Sequence, residues 1–308
     1  MAMPQSDIEE VDVTEDEDIE ELQRCVQRHW TPESEWHVGD LAWRAMSWNL
    51  GDLSIPPRMW IEDGDVVAWA WLDNAHDLGW DVLPTHPHVA ARVIEWFESV
   101  ARTGPKTASI VDCDAVRARA LRNAGYQADL AAPFYEHLRT SLEVALEEPE
   151  IPEGFMVRHV RDDEIALRAH LHREAWGTLP FADQDPVFAY SRIATESYER
   201  LTTLWPYRPE LDWVIESPTG QFVAGALGWM DEMNWAGALE PVGVHPDYHR
   251  RGFGRAVSLA VLRALQNVGA VEAIVCPRGD VEYPVPRKLY GSLGFRAVGR
   301  TVTYTKAD

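Results

Sequence analysis

Two stretches of the chain alternate apolar and polar residues on either side of a turn. "WIEDGDVVAWAWL" (60–72) and "WVIESPTGQFVAGALGW" (213–229) each predict a pair of antiparallel strands, with turns at Asp63–Asp65 and Pro218–Gly220. Each pair leads to a third strand that a His-Pro step ends, in "DVLPTHPH" (81–88) and "EPVGVHPD" (240–247). The period then lengthens. "VAARVIEWFESVA" (89–101) and "GRAVSLAVLRALQNV" (254–268) repeat apolar residues at helical spacing, and Val257, Val261, Ala264 and Val268 mark the face that turns to a sheet. A short strand follows ("ASIVDC", 108–113; "EAIVC", 272–276), then a second helix, a Gly125-Tyr126 or Gly294-Phe295 pair, and a last strand.

The order strand–strand–strand–helix–strand–helix–strand therefore occurs twice. It predicts a mixed α+β tandem duplication, with one domain over 1–145 and another over 155–308. The acid- and Pro-rich "EVALEEPEIPEG" (143–154) joins them. A length of 308 residues suits two domains of ordinary size.

The formal net charge of −22 changes the picture by exclusion. It argues against nucleic acid and anionic membranes as partners and favours a cationic small molecule. The longest apolar run, "VVAWAWL" (66–72), is far short of a membrane span, and the acidic N-terminus has no signal-peptide core, so the expected location is cytoplasmic. Cys25, Cys113 and Cys276 have no metal-ligand spacing, and no metal site is expected.

Against this acidity, "HPDYHRRGFGRAV" (245–257) gathers positive charge where the predicted strand gives way to the helix. The first amides of a helix have no intrahelical acceptor, and its dipole makes that end partly positive. Gly252 and Gly254 leave room for an anion to reach those amides, while Arg250, Arg251 and Arg255 add permanent charge. A diphosphate suits such a place; a glycine-eased helix start with solvated arginines is the alternative. The spacing is neither the dinucleotide fingerprint nor a P-loop.

"VGVHPDYHRRGFGRAV" together with "LYGSLGF" (289–295) resembles the GNAT superfamily of acyl-CoA-dependent N-acetyltransferases. The resemblance covers about 155–306 by motif and the first half by element order alone. It implies a tandem duplication of the acyl-CoA N-acyltransferase fold, with a splayed central strand pair in each half and a degenerate first half. It further implies acetyl-CoA as co-substrate. The coenzyme A diphosphate would sit on the amides of His249, Arg250, Arg251, Gly252, Phe253, Gly254 and Arg255, and the pantetheine arm would pair with the strand at Val242, Gly243 and Val244. His249 departs from the family pattern, which has Arg or Gln there. Tyr283 departs too, replacing an Asn that helps hold the pantetheine arm; it would either take over that contact or line the acceptor pocket.

Acyl transfer from a thioester to an amine needs a proton acceptor, a donor for the leaving thiolate and amides for the developing oxyanion. The resemblance implies Tyr290 as the acid, although a helical tyrosine packed on the sheet is the plain alternative. Glu240 is the candidate base. On a two-residue period it shares a face with Val242 and Val244, though an ordinary strand-edge acid would look the same. In the first half Leu121 stands where Tyr290 would, and Asp81, opposite Glu240, is a vestige. For the acceptor, Trp176 and Trp205 with Asp183 and Asp185 would suit an amine, and packing is the default reading of the aromatics. The expected activity is N-acetylation of a primary amine of a small molecule by direct transfer, in a monomer or homodimer. The alternatives are a non-catalytic binding or sequestering protein of this fold and a mycothiol-synthase-like acetyltransferase.

Overall fold

A computed structural model describes residues 7–48, 54–177, 179, 193–279 and 281–308. In chain order the elements begin with β1 (Glu9–Asp12), α1 (Asp16–His29), α2 (Val38–Ala45), β2 (Arg58–Glu62), β3 (Asp65–Leu72) and β4 (Asp77–Val82). They continue with α3 (Val89–Val100), β5 (Lys106–Val111), α4 (Ala115–Asn123), β6 (Gln127–Asp129) and β7 (Glu136–Ser141). Next come β8 (Met156–His159), α5 (Ile165–Gly177), α6 (Thr195–Leu201), β9 (Asp212–Glu216), β10 (Phe222–Asp231) and β11 (Ala236–Val244). The last are α7 (Phe253–Asn267), β12 (Glu272–Val275), α8 (Val285–Ser292) and β13 (Arg296–Lys306).

The chain divides into two compact units, and they are not the two sequence halves. Unit 1 holds residues 1–35, 48–135 and 299–308; unit 2 holds 36–47 and 136–298. Two strands account for much of the difference. β13, the last strand of the chain, pairs antiparallel with β5 in unit 1 (Thr301 opposite Val111), whereas β7 pairs antiparallel with β12 in unit 2 (Ser141 opposite Glu272). Helix α2 also belongs to unit 2.

In unit 1 the sheet runs β1-β2-β3-β4-β5-β13, with β6 also on β13. Asp63 and Gly64 both have positive φ, the two-residue turn that matches strand twist, and they close the β2–β3 hairpin between Glu62 and Asp65. One sheet face packs on α3 and α4 around Trp60, Val67, Trp80, Val93, Phe97 and Leu121. Parallel pairing of β4 with β5 stops after Asp77–Thr107 and Leu78–Ala108. Beyond it, the buried Arg117 guanidinium donates to Trp80 O (2.7 Å) and pairs with Glu35 (2.8 Å), which accepts from Val111 N (3.2 Å). Thus Arg117 and Glu35 bridge the place where β4 and β5 part.

In unit 2 the sheet runs β7-β12-β11-β10-β9-β8, antiparallel except for β11 with β12. The apolar face of α7 read from the sequence is buried: Val257 and Val261 fully, Ala264 nearly so, with Val268 at its edge. Gly228 and Gly237 let this helix lie close, since a methyl at either would come within 2.7 Å of Val261 or Leu265. The opposite face carries α5, α6 and α2. There the buried Arg168 pairs with Asp212 at 2.8 Å, and Asp212 also accepts the Tyr198 hydroxyl at 2.9 Å, so that α5 and α6 are tied to β9.

Candidate active site

The parallel ladder between β11 and β12 has only three rungs, ending at Ala238–Ile274. From Leu239 to Val244 the strand keeps β10 on one side and leaves its other edge unpaired with β12. The direction of its amides follows from the register. His245 N donates to Val223 O at 2.9 Å, and Gly243 stands opposite Gly225. Alternate residues of an antiparallel ladder bond to the same neighbour, so Val242 and Val244 aim their N–H and C=O groups away from β10, into the gap.

Between Leu239 and Val242 two residues of β11, Glu240 and Pro241, face one of β10, Leu227, which makes a bulge there. The expected common face of Glu240, Val242 and Val244 is therefore not what the structure has. Val242 and Val244 pack into the core that α7 covers, while the Glu240 side chain stands near Asp40 of α2. The extra residue breaks the two-residue period on which that expectation was built.

At the end of β11 the chain turns through His245 and enters α7 at Gly252, whose φ of 82° is left-handed and suits a residue without a Cβ. Gly252 is exposed, and a methyl there would touch nothing within 4 Å. Having no side chain, it caps none of the amides that open the helix, where Ala256 N is the donor that returns to Gly252 O. Phe253 is buried and anchors the first turn, packing 4.8 Å from Phe155. Gly254 lies 3.4 Å from Val244 as measured from an added Cβ, so helix start and strand end adjoin.

The three arginines are not equivalent. Arg250 has a positive φ and, like Arg251, is exposed; Arg251 lies over the Tyr248 ring at 5.1 Å. Neither makes an ion pair among the described residues. Arg255 instead pairs with Glu147 at 2.5 Å. His249 reaches back 3.0 Å from Nε2 to Val244 O, which makes Nε2 the protonated nitrogen and ties the turn to β11. An anion at this turn therefore meets two available guanidinium groups and one already engaged.

Tyr290 is buried on α8, edge-on to Phe295 at 5.6 Å. Burial pushes its phenol well above the usual tyrosine range, and Glu240, Tyr283 and Cys276 add to the effect. These groups therefore stand near one another where the strands part. Tyr283 is half-buried, and burial raises its phenol also.

Of the acceptor candidates, Trp176 stacks on His172 at 4.3 Å and covers Gly243, where an added Cβ would fall 2.1 Å from its ring. It packs on the sheet. Trp205 is half-buried after α6; Asp183 and Asp185 lie outside the described residues. In unit 1, Leu121 is core, and Asp81 belongs to the Arg117 cluster at 3.6 Å. Asp40 was missed. Its local signal, a His-x-x-Asp helix start at 37–40, marks a cap but not a neighbour two hundred residues on.

Among the described residues no group of His, Cys, Asp or Glu could hold a metal ion, and no helix is long and apolar enough to cross a membrane. Residues 170–295 match the Acetyltransferase (GNAT) family. No curated protein matches the sequence. Among solved structures, the chain is similar to a tandem GNAT protein from the clavulanic acid biosynthesis pathway, at 15% identity and a TM-score of 0.63 over 98% of both chains. It is also similar to a GCN5-related N-acetyltransferase from Sphaerobacter thermophilus, at 19% identity and a TM-score of 0.62 over 97% of this chain and 95% of that one. A GNAT-family acetyltransferase from Colwellia psychrerythraea matches at 11% identity and a TM-score of 0.56 over 97% and 99%. The fold is thus a mixed α+β tandem of the GNAT type, mostly antiparallel, and the stretch that carries the glycine–arginine turn and Tyr290 is the part that matches the GNAT acetyltransferase family.

Proposed function

We propose that this protein moves an acetyl group from acetyl-CoA to a primary amine of a small molecule by direct transfer, using unit 2. One observation carries the reading. The uncapped amides of an exposed helix start adjoin the end of a strand whose Val242 and Val244 amides face an unpaired edge. The first feature suits a diphosphate and the second an amide-bearing arm, and coenzyme A has both in that order.

Acetyl-CoA supplies the activated thioester. The amides of 250–255, with Arg250 and Arg251, hold the diphosphate; Val242 and Val244 orient the arm. A β11 amide donates to the acetyl carbonyl oxygen as charge develops there. Glu240 takes the proton from the attacking amine. The Tyr290 phenol, kept protonated by burial, gives its proton to the leaving sulfur. Arg117 and Glu35 hold the corresponding strands of unit 1 together, which supports a non-catalytic role for that unit. The acid excess suits an amine acceptor and disfavours nucleic acid, and the same reading makes the protein a cytoplasmic monomer or homodimer.

The test is thiol release from acetyl-CoA over a panel of small amines, together with thermal unfolding with and without acetyl-CoA. Thiol release with at least one amine and protection by the cofactor are expected; at a hundredfold excess over Kd the protection is about 2.7 kcal/mol. Absence of both at millimolar acetyl-CoA would end the proposal.

A further inference from the structure

Helix α8, which carries Tyr290, has few anchors of its own. It opens at Pro284 with Pro286 in its first turn, and no side chain caps it. Of its eight residues only Tyr290 is buried, with Leu289 partly so. A surface helix is ordinarily seated by a broad apolar stripe, and two adjacent side chains leave its axial position and rotation weakly set.

One polar side chain supplies the rest. Arg287 stands one turn before Tyr290. Its Nε donates to Glu136 Oε2 at 2.9 Å and its Nη2 to Glu136 Oε1 at 2.6 Å, a two-pronged charged contact. Nη2 also donates to Gly279 O at 2.6 Å, in the turn between β12 and α8. Glu136 is itself fixed. It opens β7, its N donates to Pro277 O at 2.9 Å beside the β7–β12 ladder, and its side chain is 15% exposed. Because the guanidinium is planar and rigid, these bonds set a direction as well as a distance.

We infer that Arg287, held by Glu136, is a positioning residue for Tyr290: the fork fixes where the phenol stands along and around the α8 axis. The inference rests on the transferase reading, in which that phenol protonates the leaving sulfur. It also gives the exchanged strand a use. β7 comes from the first half of the sequence and belongs to unit 2, and its first residue orients the proposed proton donor of the second half.

Arg287→Met keeps the length of the side chain and loses every donor; Arg287→Lys keeps the charge and loses the fork. The side chain is half-exposed, so both variants should fold. In Arg287→Met, kcat falls about tenfold while the KM for acetyl-CoA stays within about twofold, because a misplaced donor slows the chemistry and leaves the cofactor seat intact. Arg287→Lys falls with it, and a wild-type kcat in Arg287→Lys would overturn the fork. In a Tyr290→Phe background Arg287→Met changes kcat by less than about twofold, since no phenol is left to misplace. The full loss repeated in that background, or an unchanged kcat in Arg287→Met alone, overturns the positioning role. An unchanged kcat in Tyr290→Phe removes the proton donor and the inference together.

Hydrogen exchange tests the fork without turnover. Amides 288–292 should exchange at least about fivefold faster in Arg287→Met, with β10 and β11 unchanged; unaltered exchange in α8 overturns the inference. Should the wild type acetylate no amine, the transferase reading fails while the exchange result still decides whether the fork holds α8.

Discussion

Replacing Arg117 by Met removes the one cation of a buried cluster in unit 1. The guanidinium is 2% exposed and serves Asp114 at 2.6 Å, Glu35 at 2.8 Å, Asp81 at 3.6 Å and Trp80 O at 2.7 Å. Removing one member of a buried ion pair costs about 3–5 kcal/mol, because the partner charge remains uncompensated, and here three carboxylates remain. The loss has a defined pH dependence. Burial raises Glu35 to about 7 despite the pull of Arg117, and raises Asp81 as well. A folded-state pKa above the unfolded value gives stability that is fully present below the unfolded pKa and lost as pH rises through the folded one. For Glu35 that window runs from about 4.5 to about 7, and its span corresponds to roughly 3 kcal/mol. Without Arg117 the Glu35 and Asp81 carboxyls rise further, so at pH 5, where they hold their protons, part of the damage is relieved, and at pH 8 keeping or losing those protons costs more. Denaturant unfolding of wild type and Arg117→Met, followed by tryptophan fluorescence at both pH values, measures the difference. The variant should lose about 3–5 kcal/mol at pH 8 and clearly less at pH 5. Equal losses at the two pH values, or a loss under about 1 kcal/mol at pH 8, would refute the reasoning.

Changing Tyr290 to Phe removes the proton donor and should lower kcat about a hundredfold with little change in the KM for acetyl-CoA; an unchanged kcat in steady-state assays would remove Tyr290 from the chemistry. Gly243→Ala drives a methyl into the Trp176 ring and should cost about 1–3 kcal/mol in unfolding experiments, and a neutral outcome would mean that Trp176 does not cover the strand. Gly252→Glu places a carboxylate at the uncapped amides and should abolish protection by acetyl-CoA in thermal scans while the apo protein remains folded, since that position is exposed. Retained protection would move the diphosphate elsewhere.

Much of this arrangement was legible because its signals are local. The hairpin turns, the buried stripe of α7 and the glycines at its start are written in consecutive residues, and periodicity and backbone freedom are enough to read them. Partner choice is not local. β7 and β13 both have ordinary strand composition, and nothing within either says that β13 completes the sheet begun by the first half while β7 joins β12. The bulge at Glu240–Pro241 escaped for a related reason: an inserted residue leaves the apolar pattern on either side intact but turns the acid to the other face. Asp40 and Arg117 could be seen as charged residues on short helices, but their meaning comes from partners brought close only by folding: Glu240 for the one, Trp80 O and Glu35 for the other.

The two units make opposite use of a parted strand pair, and the stoichiometry of cofactor binding tests that contrast most directly. Calorimetric titration of the full chain with acetyl-CoA should give one site per chain. Its affinity should weaken with added salt, because exposed Arg250 and Arg251 flank the helix start. Two equivalent sites per chain, or no heat at millimolar acetyl-CoA, would contradict the account.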